Sequence, residues 1–105
     1  MGNNSTEYFS TRGNANILDF AGVTLTGLAG DGGLYVPTHW PRFTPEQITA
    51  MRGLDYVALA ARIMAPFTQG VLSEDELQGL CKAAYGSFAH SAIVPLKQLD
   101  SQHFL

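Results

Sequence analysis

The stretch Gly27-Leu28-Ala29-Gly30-Asp31-Gly32-Gly33-Leu34-Tyr35-Val36-Pro37 decides the reading of this chain, because four glycines within residues 27–33 run straight into a short extended segment. Glycine takes positive φ without a Cβ penalty, so this density predicts a backbone that turns sharply or is closely approached by another group. Phosphate cradling is the first chemistry to test. Gly27 and Gly32 have the spacing of the two P-loop glycines, but Gly33 and Leu34 stand where a Lys and a Ser or Thr are required. The dinucleotide fingerprint fails too, since Tyr35 replaces its third glycine and a strand rather than a helix follows. The loop therefore reads as a turn rather than a nucleotide site.

Upstream, Glu7-Tyr8-Phe9-Ser10-Thr11 is rich in aromatic and β-branched types and predicts a short strand, stopped by Arg12-Gly13-Asn14. Asp19 to Thr26 is ambiguous. Val23, Leu25 and the threonines alternate as in a strand, whereas Asp19 suits a helix N-cap; on pattern alone the segment leans to strand. Downstream, Leu34-Tyr35-Val36 is extended and halted by Pro37, and an irregular aromatic connection follows. Thr44-Pro45-Glu46-Gln47 combines an N-cap, a first-position Pro and a capping-box Gln, so a helix starts there and ends near Gly53. Asp55 caps a second helix with Tyr56, Leu59, Ala60, Ile63, Met64 and Phe67 on one face, closed by Pro66. Ser73-Glu74-Asp75-Glu76 opens a third, with Leu77, Leu80, Cys81 and Ala84 on its stripe and Gly86 as stop.

These elements predict an α+β domain, mainly helical, with Tyr8 to Thr11, Leu34 to Val36 and the C-terminal end forming a small sheet. Residues 1–6 read as a flexible polar tail and 1–105 as a single domain. Gly2 with Thr6 matches a myristoylation pattern, but a polar tail accounts for it. The expected core is Phe20, Leu28, Leu34, Val57, Leu59, Ile63, Leu77 and Leu80. Ile93-Val94-Pro95-Leu96 reads as extended. The chain stops at His103-Phe104-Leu105 just after a polar turn, which looks like the lead-in of another strand and suggests a truncated chain.

Composition narrows the function. A net charge of −3, with two lysines and four arginines, lacks the basic footprint of a nucleic-acid binder. No apolar run is long enough for a membrane span and no secretory leader is visible, which points to the cytoplasm; the lone Cys81 agrees. Cys81 falls late on an apolar stripe, where the helix dipole disfavours a thiolate, so it reads as a core thiol rather than a nucleophile. His39, His90 and His103 lack metal-site spacing, and Glu74, Asp75 and Glu76 sit where a helix start favours carboxylates. Lys82 and Lys97 show no sign of the desolvation a Schiff-base lysine needs. No catalytic, cofactor-binding or metal-binding residue is identified in the chain itself.

Taken together, Tyr8-Phe9-Ser10-Thr11-Arg12-Gly13, Asp19-Phe20-Ala21 through Gly27-Leu28-Ala29, and Asp31-Gly32-Gly33-Leu34-Tyr35-Val36-Pro37 resemble the N-terminal region of the threonine synthase family. The likeness continues more loosely through Pro41, Leu54-Asp55-Tyr56 and the helical middle. It implies a helix over Phe20 to Leu28, against the alternation. It also implies the small N-terminal domain of a larger pyridoxal-phosphate enzyme of fold type II, which converts O-phospho-L-homoserine and water to L-threonine and phosphate. In that family the Schiff-base lysine lies in a Leu-Glu-Leu-Phe-His-Gly-Pro-Thr-x-x-Phe-Lys-Asp type segment. That segment would follow Leu105, so the chain alone is expected to be inactive and to bind no cofactor. Its expected partners are the remaining domains of the parent enzyme and, through them, O-phosphohomoserine. Ser10, Thr11, Arg12, Gly13, Asp31, Gly32 and Gly33 are the candidate interdomain or cleft-facing residues, with Arg12 suited to a bidentate bond to a carboxylate or phosphate. A plainer role remains open for them, as a tight turn with Arg12 in a structural ion pair. A self-contained, non-catalytic interaction module is the alternative of a different class.

Overall fold

The computed structural model describes residues 4–105. Residue Gly2, with its myristoylation pattern, lies outside the described residues, as does the start of the polar tail. Three antiparallel strands, β1 (Glu7–Ser10), β2 (Leu18–Asp19) and β3 (Tyr35–Pro37), form a sheet in the order β2-β1-β3. The register sets Tyr8 opposite Leu18 on one side and Pro37 on the other, with Ser10 opposite Tyr35. β1 alternates strictly, turning Tyr8 and Ser10 inward and Glu7 and Phe9 outward. Pro37 is tolerated because β3 is an edge strand with no second neighbour to demand its N–H.

The described residues also form four helices, α1 (Phe20–Thr26), α2 (Pro45–Ala50), α3 (Tyr56–Met64) and α4 (Glu74–Tyr85), with a 3₁₀ turn at Ala65–Phe67. The domain is thus α+β and mainly helical. Both expected capping boxes form, Thr44 with Gln47 and Ser73 with Glu76, and Asp55 accepts from the Ala58 amide. Each lies within one turn of sequence, which is why it could be read. At Phe20–Thr26 the helix wins over the strand-like alternation. Asp19 accepts from the Gly22 amide at 2.8 Å, and Gly27, at φ 74°, returns its N–H to the Val23 carbonyl. Leu25, one of the alternating residues, is 89% exposed.

The core is small. The buried apolar residues are Tyr8, Ala29, Ala61, Leu77 and Cys81. Of the expected core, Leu77 is buried and Phe20, Val57 and Leu59 are half-buried, whereas Leu28, Leu34, Ile63 and Leu80 are exposed. In α3 the fully buried residue is Ala61, and Ile63, two positions on, points about 200° away around the helix. In α4 the buried residues are Leu77 and Cys81, one turn apart, leaving Leu80 at the margin. α3 and α4 are each covered on one side only. Arg62 of α3 pairs with Glu74 at the start of α4, Nε to Oε1 at 2.6 Å.

Hydrogen bonds tie Thr6 and Tyr8 to the 3₁₀ turn and the residues just after it. The Tyr8 hydroxyl donates to the Phe67 carbonyl at 2.5 Å, the Thr6 hydroxyl donates to the Pro66 carbonyl at 2.5 Å, and the Thr6 amide donates to the Gln69 carbonyl. Burial pushes the Tyr8 hydroxyl's pKa up. The C-terminal end does not join the sheet as expected. It makes its own small hairpin, with reciprocal Lys97 and Leu105 backbone bonds and a bridge between Gln98 and Phe104. Residues 93–96 are not one extended run either, since Ile93 takes φ 64° within a turn closed by its N–H to the His90 carbonyl. Among the described residues no helix is long and apolar enough to cross a membrane.

Candidate functional site

The residues singled out from sequence gather around Asp31, whose carboxylate meets two of them directly, Ser10 and Gly33. Ser10 arrives at the end of β1 with its side chain fully inward, and its hydroxyl donates to the two Asp31 oxygens at 2.7 and 2.8 Å. Asp31 also accepts the Gly33 amide and the Asn14 amide, each at 2.9 Å. The carbonyl of the same residue accepts the Arg12 Nη1 at 3.1 Å. Thr11 closes the other side, exchanging bonds with Leu34: its amide donates to the Leu34 carbonyl and its hydroxyl accepts the Leu34 amide. Gly13, at φ 77°, lets the chain turn back so that its N–H reaches the Ser10 carbonyl.

The glycines serve this closeness. A Cβ on Gly33 would overlap the Ser10 hydroxyl and come within 3.0 Å of Asp31 Oδ1 and Thr11 Oγ1. Gly32 has φ 85°, and a Cβ there would lie 2.5 Å from the Arg12 guanidinium. Gly30, by contrast, has nothing within 4 Å of a Cβ position. Loop closure comes from the Ala29 amide to the Gly33 carbonyl and the Gly32 amide to the Ala29 carbonyl, both 3.0 Å.

Such an environment fixes the chemistry. The Ser10 hydroxyl first, then the Gly33 and Asn14 amides, stabilise the ionised Asp31 carboxyl and hold its pKa below the ordinary aspartate value. A carboxylate stabilised by three donors, with its pKa lowered, makes a poor general base. Ser10 spends its proton on Asp31 and has no histidine partner, so it is not an activated nucleophile. The loop amides of Gly32 and Gly33 are consumed within the loop, and an anion already sits where a phosphate would have to bind. The arrangement organises backbone. It does not react.

The plainer sequence reading of Arg12, a structural ion pair, is also not what forms. Its guanidinium meets the Asp31 carbonyl, while the Asp31 carboxylate is taken by other donors. Asn14 was missed from sequence; its contribution is a main-chain amide, which no residue type announces. Beside this hub lies an open cleft of about 400 Å³, lined by Asn14, Asn16, Leu18, Thr26, Asp31 and Tyr35 among others. A second cleft of about 450 Å³ runs along Glu7, His39, Trp40, Arg42 and Gln69. Lys82 and Lys97 are exposed, and neither lines these clefts. Cys81 is buried.

Comparison with known proteins places this architecture. The family described as threonine synthase N terminus matches residues 7–85. Threonine synthase of Pseudomonas aeruginosa is 47% identical over 98 residues, which is 93% of this chain and 21% of that protein. Among solved structures, the PLP-bound threonine synthase from Brucella melitensis superposes with a TM-score of 0.82 at 46% identity, over 96% of this chain and 22% of that one. Threonine synthase from yeast gives a TM-score of 0.77 at 30% identity, over 90% of this chain and 19% of that one. The chain therefore spans about a fifth of the length of these relatives. With the family matched across both the Asp31 hub and the helical half, this chain belongs to the threonine synthase N-terminal family.

Proposed function

We propose that this chain serves as the N-terminal domain of a pyridoxal-phosphate-dependent threonine synthase, a lyase that turns O-phospho-L-homoserine and water into L-threonine and phosphate. The observation that carries this reading is the amount of surface left uncovered. A compact monomer of 11.3 kDa exposes about 5,700 Å², whereas this chain exposes 7899 Å². Its radius of gyration is 16.8 Å, against about 13 Å for a compact domain of this length. The excess of about 2,200 Å² is of the order that one partner contributes to a large permanent interface. Threonine synthase relatives some five times longer provide a body of the right kind to cover it.

Pyridoxal phosphate itself does not fit the residues present. The cofactor needs a shielded lysine and a set of free donors for its phosphate. Both lysines are exposed, and the Gly32 and Gly33 amides are taken by the Ala29 carbonyl and the Asp31 carboxylate. The chemistry is assigned to residues outside this chain. Ser10, Thr11, Arg12, Gly13, Asp31, Gly32 and Gly33 then act as the rigid edge presented to those other domains. A cytoplasmic setting accords with the lone buried thiol of Cys81.

The test is to express the whole reading frame that contains this chain and assay threonine and phosphate release from O-phosphohomoserine. Formation of both in equal amounts is expected, together with no visible absorbance from a lysine-bound cofactor when pyridoxal phosphate is added to residues 1–105 alone. A cofactor band on the 105-residue chain refutes the assignment of the chemistry elsewhere. A reading frame that ends at Leu105 refutes the enzyme reading and favours an interaction module.

A further inference from the structure

Three large apolar side chains flank the glycine loop along the chain without being part of the core. Leu25 sits in the last turn of α1, Leu28 just after its glycine cap, and Leu34 just before β3; they are 89%, 68% and 58% exposed. Leu28 and Leu34 flank the turn closed by Ala29 and Gly33, so they leave its two ends together. Thr11 joins the same end of the molecule through its two bonds with Leu34, and Arg12 follows it. Singly scattered leucines need no explanation, but three around one rigid loop do.

Arg12 adds a charge to this apolar rim. One guanidinium nitrogen is pinned by the Asp31 carbonyl, and among the described residues no carboxylate pairs with it. On a chain of net charge −3 that is a cation left unneutralised where its own acidic neighbour is already spent. The loop beneath is held by side-chain and backbone bonds, so little ordering remains to oppose association.

We propose that Leu25, Leu28, Leu34 and Arg12 form one docking face whose occupant is the catalytic portion of the same threonine synthase polypeptide, with a carboxylate side chain of that portion seated on Arg12. The proposal rests on the domain reading above and says which surface that reading uses. Length argues for the occupant, because about four-fifths of each relative lies outside the region matched by this chain. Chemistry argues for the carboxylate: a half-fixed planar guanidinium beside leucines suits a bidentate, partly desolvated pair.

The experiment measures backbone hydrogen exchange over residues 25–34 in the polypeptide of the whole reading frame and in the 105-residue chain, with threonine formation assayed on the same samples. Exchange is expected to slow by roughly tenfold or more in the longer polypeptide. Leu28→Asp and Arg12→Glu should each abolish most of that slowing, while Gln78→Asp, on the exposed side of α4, should leave it intact. Equal exchange in both polypeptides, in a preparation that makes threonine, overturns the docking face and leaves the enzyme reading standing. Protection that survives both variants, or that appears only when inorganic phosphate is added, also overturns it. Protection without threonine formation supports the face and refutes the enzyme reading instead.

Discussion

Gly30, Gly32 and Gly33 lie in one loop, yet the geometry assigns each a different response to alanine. Gly33→Ala places a methyl on the Ser10 hydroxyl and 3.0 Å from two further oxygens. Ser10 is 1% exposed, donates to Asp31 and accepts from the Arg12 amide at 3.1 Å, so its hydroxyl cannot rotate aside without losing bonds. Overpacking of this kind costs about 1–3 kcal/mol, and a buried hydroxyl left unsatisfied costs about 1 more. The reduced freedom of the unfolded chain returns about 0.4–1 kcal/mol. The net is a loss of roughly 2 kcal/mol, which for a domain of this size lowers Tm by about 8–16 °C. Gly32→Ala meets only the end of the flexible Arg12 side chain, so its loss comes from φ 85° and is about 1–2 kcal/mol. Gly30→Ala meets nothing and should be neutral or slightly stabilising. Thermal and urea unfolding of the three variants, followed by circular dichroism, reads all of this. Combining Gly33→Ala with Ser10→Ala should cost less than the two separately, because the overlapping oxygen is gone. A Gly33→Ala variant that melts within about 2 °C of the parent, or alongside Gly30→Ala, refutes the argument that the loop is packed on Ser10.

Other consequences can be checked on the same chain. Tyr8→Phe removes the hydroxyl that ties β1 to the 3₁₀ turn and should cost about 0.5–1.5 kcal/mol, seen as a lower urea midpoint at unchanged slope; an unmoved midpoint removes that tie from the account. Glu74→Gln should cost less than about 1 kcal/mol, because both side chains of its pair with Arg62 are about two-fifths exposed, and the loss should shrink in high salt. Asp31 and Asp100 both titrate low, Asp31 through the Ser10 hydroxyl first and Asp100 through the Gln102 amide first. Lowered folded values mean that the stability they add is complete above the ordinary aspartate range and is lost as pH falls through those lower values. Tm should therefore decline below about pH 4, with a shallower decline in Asp31→Asn; superimposable acid limbs for variant and parent count against it.

Most of what the sequence disclosed is local. The boxes at Thr44 and Ser73 and the cap at Asp55 depend on residues three apart, and β1 and β3 on short runs of extended types. The Asp31 hub was legible as a set of residues but not as a connection. Ser10 and Asp31 stand 21 positions apart, and no periodicity links them. β2 was missed because it is two residues long and exists only through pairing with β1. At α1 the family likeness corrected the pattern, since the caps at Asp19 and Gly27 outweighed four β-branched or apolar residues that happened to alternate.

The misplaced core has a different cause. Hydrophobic periodicity reports that a face needs cover, but not whether the cover lies in the same chain. Residues of hydrophobic type make up 46% of the sequence, yet burial is confined to a handful around Tyr8, Ala29, Ala61, Leu77 and Cys81. Ile63 and Leu80 carry apolar surface on faces of α3 and α4 that nothing in the described chain covers, and Leu28 and Leu34 do so at the glycine loop. Leaving a leucine in water forgoes about 1.5–3 kcal/mol of burial. Apolar side chains repeated at four such places make sense if the sequence is written for a larger body. The expectation that these residues are core is then wrong for the chain by itself, and the docking face predicts that for Leu28 and Leu34 it becomes right once the rest of a threonine synthase is folded against it.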